Sequence, residues 1–197
     1  MKFILCGRSR SGTTITYEIL NKHPEVNITN QANRYFDPDF EGGDKVGTPS
    51  TQVLNELAKD PEFKFIFIYR DCRDSVTSGM KKGKVWLGGY RQWKDPNPRI
   101  NSEHWGKSMK RWFTFKKTLE PEQYLQLRFE DYFDDPWVNG ELMGEFLGVD
   151  SAKMQEIERE LIVPEKMHIG DYVNYVPDWE RTFDPLAIEM MKEYGYI

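Results

Sequence analysis

The chain has 197 residues, 27 Lys and Arg against 32 Asp and Glu, and a formal net charge of -5. That length holds one well-buried core and is short for two, so residues 1–197 are expected to form a single domain. The mild acidity speaks against a protein that grips nucleic acid or an anionic membrane, and no apolar run approaches the roughly 18 residues of a membrane span, which together point to a cytoplasmic protein.

The apolar run Phe3-Ile-Leu-Cys6 predicts a strand over 2–6, and an amphipathic segment from about Thr13 to Lys22 predicts a helix. Short strands follow near Val26–Thr29 and Lys45–Thr48. Ser50 can cap a helix that places Val53, Leu54, Leu57 and Ala58 on one face. The run Phe63-Lys-Phe-Ile-Phe-Ile-Tyr69 has the near-continuous hydrophobicity of a central parallel strand, and a helix begins at about Asp74. The stretch 83–101 is rich in Gly, Pro and aromatics without a period, as in an insertion or lid. Ser102 can cap a long helix bearing Trp105, Met109, Trp112, Phe113 and Lys116, and Gln123–Phe129 reads as the last core strand. A helix starts near Pro136 and ends at Gly148, another runs from Ser151 to Leu161, 163–183 is aperiodic, and a helix from Pro185 to about Tyr194 closes the chain. This alternation predicts an α/β fold: one P-loop-like domain with a central parallel sheet of about four to five strands and helices on both faces. Ligands of such folds sit beyond the carboxyl ends of the strands, where the loops after Cys6, Thr48 and Tyr69 should converge.

Two constellations there can carry chemistry. Gly7-Arg-Ser-Arg-Ser-Gly-Thr-Thr14 joins a strand to a helix, so its backbone N–H groups and the positive end of the helix dipole suit an anion. Arg8, Arg10, Ser11, Gly12, Thr13 and Thr14 are the candidates to hold it. The spacing Gly7-x-x-x-x-Gly12 is that of a nucleotide-triphosphatase loop, but Thr13 stands where the phosphate-reaching Lys belongs. The second constellation is Tyr69-Arg-Asp-Cys-Arg-Asp-Ser-Val-Thr-Ser78, in which Arg70 leaves the strand end and Ser78 lies about two helical turns on. Both converge on an anion only if the turn folds back. Cys6 and Cys72 offer neither a disulfide framework nor a metal set, and the three His, including His23 and His168, have no zinc spacing, so no metal is expected. Trp105 and Trp112 keep helical spacing and belong to a core, whereas Trp86, Tyr90 and Trp93 lie in the aperiodic insertion and suit an acceptor-side wall.

Gly7-x-x-Arg10-Ser-Gly-Thr-Thr14, with Arg70 and Ser78 eight apart, resembles the paired signatures of sulfotransferases that use 3'-phosphoadenosine 5'-phosphosulfate (PAPS). The resemblance continues through His23-Pro-Glu-Val26, Lys45 with Thr48-Pro49, Arg128-Phe-Glu-Asp131, Phe146-Leu-Gly148, and Asp178-Trp179 with Phe183, in the family's order. The early motifs are most similar to the tyrosyl-protein and bacterial branches. The resemblance implies that the first loop holds the 5'-phosphosulfate, that Arg70 and Ser78 hold the 3'-phosphate, that the product is 3',5'-ADP, and that Arg10 and Lys45 stabilise the leaving phosphate. Sulfuryl transfer needs such cations and amides at the bridging oxygen and no metal.

The family's base positions depart from the pattern: Asn30-Gln31 occupies one and Gly47 the other, and an amide is no base at neutral pH. Glu41, Asp44 and His104 are the substitutes, and Phe129 replaces the family's usual Tyr while keeping an aromatic on which adenine can stack. The acceptor is open between a small molecule, a glycan and a peptide. Two other classes stand beside this expectation: a small nucleotide or metabolite kinase with a degenerate loop, and a non-catalytic module that binds the cofactor without a base.

Overall fold

In the computed structural model, which describes residues 1–30, 34–37, 39–82, 97–163 and 169–197, the N-terminal apolar run is strand β1 (Lys2–Gly7). It is the middle of a five-stranded, all-parallel sheet of order β2-β3-β1-β4-β5, with β2 at Ile28–Thr29, β3 at Gly42–Lys45, β4 at Lys64–Tyr69 and β5 at Tyr124–Arg128. Ile4 pairs with Asp44 on one side of β1 and with Phe65 on the other, so the register of three strands is fixed by one buried residue.

Alternation along the strands separates two cores. Phe3, Leu5, Ile66, Ile68 and Leu127 face one way, toward helices α1 (Thr13–Lys22), α6 (Val138–Leu147) and α7 (Ser151–Leu161). Ile4, Cys6, Phe65 and Phe67 face the other, toward α2 (Thr51–Leu57), α4 (Pro98–Phe115) and α10 (Pro185–Glu193). Trp105 and Trp112 are core residues: Trp112 stacks on Phe67 with centroids 4.4 Å apart, and Phe115 meets Phe65 edge-on at 5.2 Å. Cys6 and Cys72 are both free and buried.

Six elements differ from their sequence expectation. Strand β3 begins at Gly42 instead of near Lys45, because a Gly-Gly pair is poor in β-propensity but needed for close approach: a Cβ on Gly43 would stand 2.1 Å from the Phe3 ring. Helix α3 (Cys72–Lys82) starts two residues before Asp74. Helix α4 starts at Pro98, with the Asn97 side chain accepting from Arg99 N, so Ser102 is no cap but a buried residue that donates to Arg99 O and accepts from Asp184 N. Single-turn helices α5 (Asp131–Asp134), α8 (Tyr172–Tyr175) and α9 (Trp179–Thr182) are too short to leave a period; the last two lie in the stretch expected to be aperiodic.

The path of the chain positions the site. From β1 it moves by α1 toward β2 and β3, then crosses by α2 to β4 on the other side of β1 and continues to β5. The connections therefore part between β1 and β4, and the crevice at their carboxyl ends is a topological switch point.

Candidate functional site

The loop after β1 turns sharply. Ser11 N donates to Arg8 O at 3.0 Å, Arg10 takes a positive φ of 73°, and Gly12 follows at 98° as the residue ahead of α1. Glycine is required at 12, since a Cβ there would lie 2.4 Å from Phe129. No side chain caps α1 and no acid stands in its first turn, so its N-terminal amides keep their positive potential. Thr16 holds the turn from within: its hydroxyl donates to Gly12 O at 3.1 Å and meets the buried Tyr132 hydroxyl at 3.0 Å.

The two constellations meet. Arg10 Nε and Nη2 both donate to Ser78 Oγ at 3.0 Å, and Ser75 Oγ donates to Arg10 O at 3.4 Å. The turn thus folds back as convergence requires, with α3 rising beside the loop. Arg70 is buried, its guanidinium 4.5 Å from the centroid of the Phe129 ring, and Trp105 Nε1 donates to its carbonyl at 3.1 Å. Burial lowers the pKa of Arg10, and the Arg70 charge lowers it further, which puts the two guanidinium groups in one electrostatic neighbourhood. Burial also lowers Arg70, against Asp74, Glu130 and Asp71, and pulls Arg8 down to about 10. Two or three cations held together out of water favour a multiply charged anion among them. Lys45, at the carboxyl end of β3, donates to Thr14 Oγ1 at 3.2 Å, lies 5.3 Å from the Tyr17 ring centroid, and is lowered by burial.

Several expected residues stand elsewhere or act differently. Glu41 is at the opposite, amino-terminal edge of the sheet, paired with the Met1 amino group at 2.6 Å, and is too remote to be a base at the loops. Asp44 is fully buried and accepts from Thr29 Oγ1 at 3.2 Å and from Arg34 N at 2.9 Å, so its oxygens fasten the chain after β2. His104 is half-buried on α4, and burial first, then the charge of Arg8, lowers its pKa below the ordinary 6.5. Phe129 is only 3% exposed, wedged under Gly12 with the Arg70 guanidinium over its face, so it braces the loop from below instead of offering a face to adenine. Asn30 is exposed just past β2. Gln31, Trp86, Tyr90, Trp93 and His168 lie outside the described residues. His23 is structural: its Nε2 lies 3.1 Å from Asp150 O, and its Nδ1 accepts from Glu25 N at 3.3 Å.

Asp71 and Arg73 of the second constellation, Glu130 of the segment 128–131 and Tyr196, which no motif includes, gather around the turn that carries Arg70. Glu130 binds Asp71 from 59 residues away and Tyr196 binds Glu130 from 66, so spacing carries no trace of either contact. Among the described residues no three His, Cys, Asp or Glu gather as a metal site, and no helix is long and apolar enough to cross a membrane.

A model of a family described as the sulfotransferase family matches residues 50–153. No curated protein matches the chain. Among solved structures it is similar to a mouse sulfotransferase complexed with PAP, at 19% identity and a TM-score of 0.70 over 96% of this chain and 84% of that one. It is also similar to the sulfotransferase domain of a Synechococcus olefin synthase, at 14% identity and a TM-score of 0.66 over 100% and 94%. A third likeness is to a sulfotransferase from Alicyclobacillus acidocaldarius, at 15% and 0.55 over 92% and 93%.

Proposed function

The chain belongs to the sulfotransferase family, and from that premise we propose that it transfers a sulfuryl group from PAPS to a hydroxyl or amine acceptor, giving 3',5'-ADP. The observation that carries this reading is the pair of 3.0 Å hydrogen bonds from Arg10 to Ser78, which bring together the loop after β1 and helix α3 after β4, and so the two motifs. The mouse relative's complex with PAP supports the choice of donor.

The residues fit a bisphosphorylated nucleotide. Ser11 Oγ is buried in the loop with no hydrogen-bond partner among the described residues, Gly12 leaves room for no side chain, and α1 presents uncapped amides. Arg8, Arg10, Ser11, Gly12, Thr13 and Thr14 would hold the 5'-phosphosulfate, and Arg70 with Ser78 the 3'-phosphate. When bound, the donor supplies the sulfuryl group: the acceptor oxygen or nitrogen forms a new bond to sulfur as the bond between sulfur and the 5'-phosphate oxygen breaks. Arg10 and Lys45 then face the negative charge that grows on the departing oxygen, and their fixed positions need no reorganisation.

His104 is the base in this proposal. It is half-buried on α4 and feels the charge of the loop's Arg8, and a lowered pKa keeps the imidazole neutral and able to accept a proton near pH 7. Transfer of labelled sulfate from PAPS to an acceptor mixture tests the function. Product formed with the intact chain and lost with Arg10→Ala is the expected result; no transfer to phenols, sugars, amines or peptides would overturn it.

A further inference from the structure

Taking Arg70 as the ligand of the 3'-phosphate, as proposed above, we infer that Glu130 and Tyr196 are positioning residues that fix Arg70 through a closed ring of hydrogen bonds. The ring starts at the turn after β4, where Asp71 N donates to Glu130 Oε1 at 2.9 Å. The Asp71 carboxylate accepts from Arg73 Nε at 3.0 Å and Nη2 at 2.5 Å. Arg73 Nη2 also donates to Tyr196 O at 3.2 Å, and Tyr196 OH donates to Glu130 Oε2 at 3.0 Å, which closes the circuit.

Arg70 is the residue immediately before the first link. Its carbonyl is held from the other side by Trp105 Nε1, so the peptide that carries the guanidinium is bonded on both flanks. Asp71 and Glu130 are 6% and 5% exposed, and every link except that from Arg73 to Tyr196 O joins one of these buried carboxylate residues. Such bonds are stronger than neutral ones, and removing one partner leaves a buried polar atom unsatisfied. Tyr196 uses both its carbonyl and its hydroxyl, while its ring packs edge-on against Tyr69 at 6.2 Å and lies 5.5 Å from the Arg128 guanidinium. The Arg73 guanidinium is further fixed 4.5 Å from the Tyr172 ring centroid and 5.1 Å from that of Trp179. A guanidinium bonds phosphate best in a fixed fork, so a turn free to rotate would present Arg70 in many orientations, few of them productive.

Calorimetry with 3',5'-ADP and with 5'-AMP, which lacks the 3'-phosphate, tests this on the intact chain, Tyr196→Phe, Glu130→Gln and Arg70→Ala. Tyr196→Phe and Glu130→Gln should each weaken 3',5'-ADP roughly 3- to 10-fold and leave 5'-AMP binding as it is in the intact chain. Equal loss for both ligands would mean a general structural role, and no loss for either would mean no role; both overturn the inference. If Arg70→Ala binds 3',5'-ADP as well as the intact chain does, it is the phosphate assignment that fails. The ring is then judged by amide hydrogen exchange at Asp71, which should quicken in Tyr196→Phe; unchanged exchange would overturn the ring as well.

Discussion

Arg10 carries the most information of any single residue. A side chain at φ 73° costs about 1–3 kcal/mol, and here it coincides with a guanidinium that links the loop after β1 to helix α3 through Ser78. Replacing Arg70 with Ala should weaken 3',5'-ADP by about 2–3 kcal/mol, the loss of a charge-assisted contact, as read by calorimetry. His104→Gln should leave 3',5'-ADP affinity unchanged and lower kcat by about 10²–10⁴. With a His104 pKa below 6.5, the intact enzyme should lose rate as pH falls through that lowered value and hold a plateau above it; in the variant this acid limb should vanish. Arg10, Arg70 and Ser78 are legible in the sequence because strand, turn and helix place them locally. The sequence offers His104 only as one of three substitute bases beside Glu41 and Asp44, because its place on α4 relative to the loop depends on how α4 packs across the sheet. For Glu41 the same reasoning works in reverse: it lies near Lys45 in sequence, but β3 runs from the opposite edge, and the strand's length separates them.

At the scale of elements, α6 and α7 hold a titrating contact remote from the chemistry. The Glu158 carboxylate, 1% exposed, accepts from Trp137 N at 3.1 Å and from Gly140 N where α6 begins, and burial raises its pKa from 4.5 to about 7. A group raised in the folded state stabilises fully below its unfolded pKa, and that stability is lost as pH rises through about 7. Tm should therefore carry a component that falls between about pH 4.5 and 7, and Glu158→Gln should flatten it. A pH series of thermal melts in which the variant keeps the intact chain's slope would refute this. The secure elements in the sequence were those with a long hydrophobic period: β1, β4, α4 and α7. Gly42-Gly43 hid β3, because the feature that lets it pack on Phe3 is the lack of side chains, and single-turn α8 and α9 are too short to show a period.

For the whole molecule, the sheet order places the candidate site: β1 and β4 are neighbours whose connections leave in opposite directions, and both proposed anion-binding motifs open at their carboxyl ends. Two cores hold these strands rigid, so the loops are mounted on the most buried part of the fold. On the proposed function, this crevice binds a bisphosphorylated adenosine nucleotide without the metal-bound triphosphate that the first loop's spacing alone would suggest. Titration calorimetry of the intact chain with 3',5'-ADP in EDTA, set against ATP with Mg²⁺, tests it most directly. Saturable binding of 3',5'-ADP without metal and none of Mg²⁺-ATP is the expected result; binding of Mg²⁺-ATP with no heat from 3',5'-ADP would overturn the proposed function.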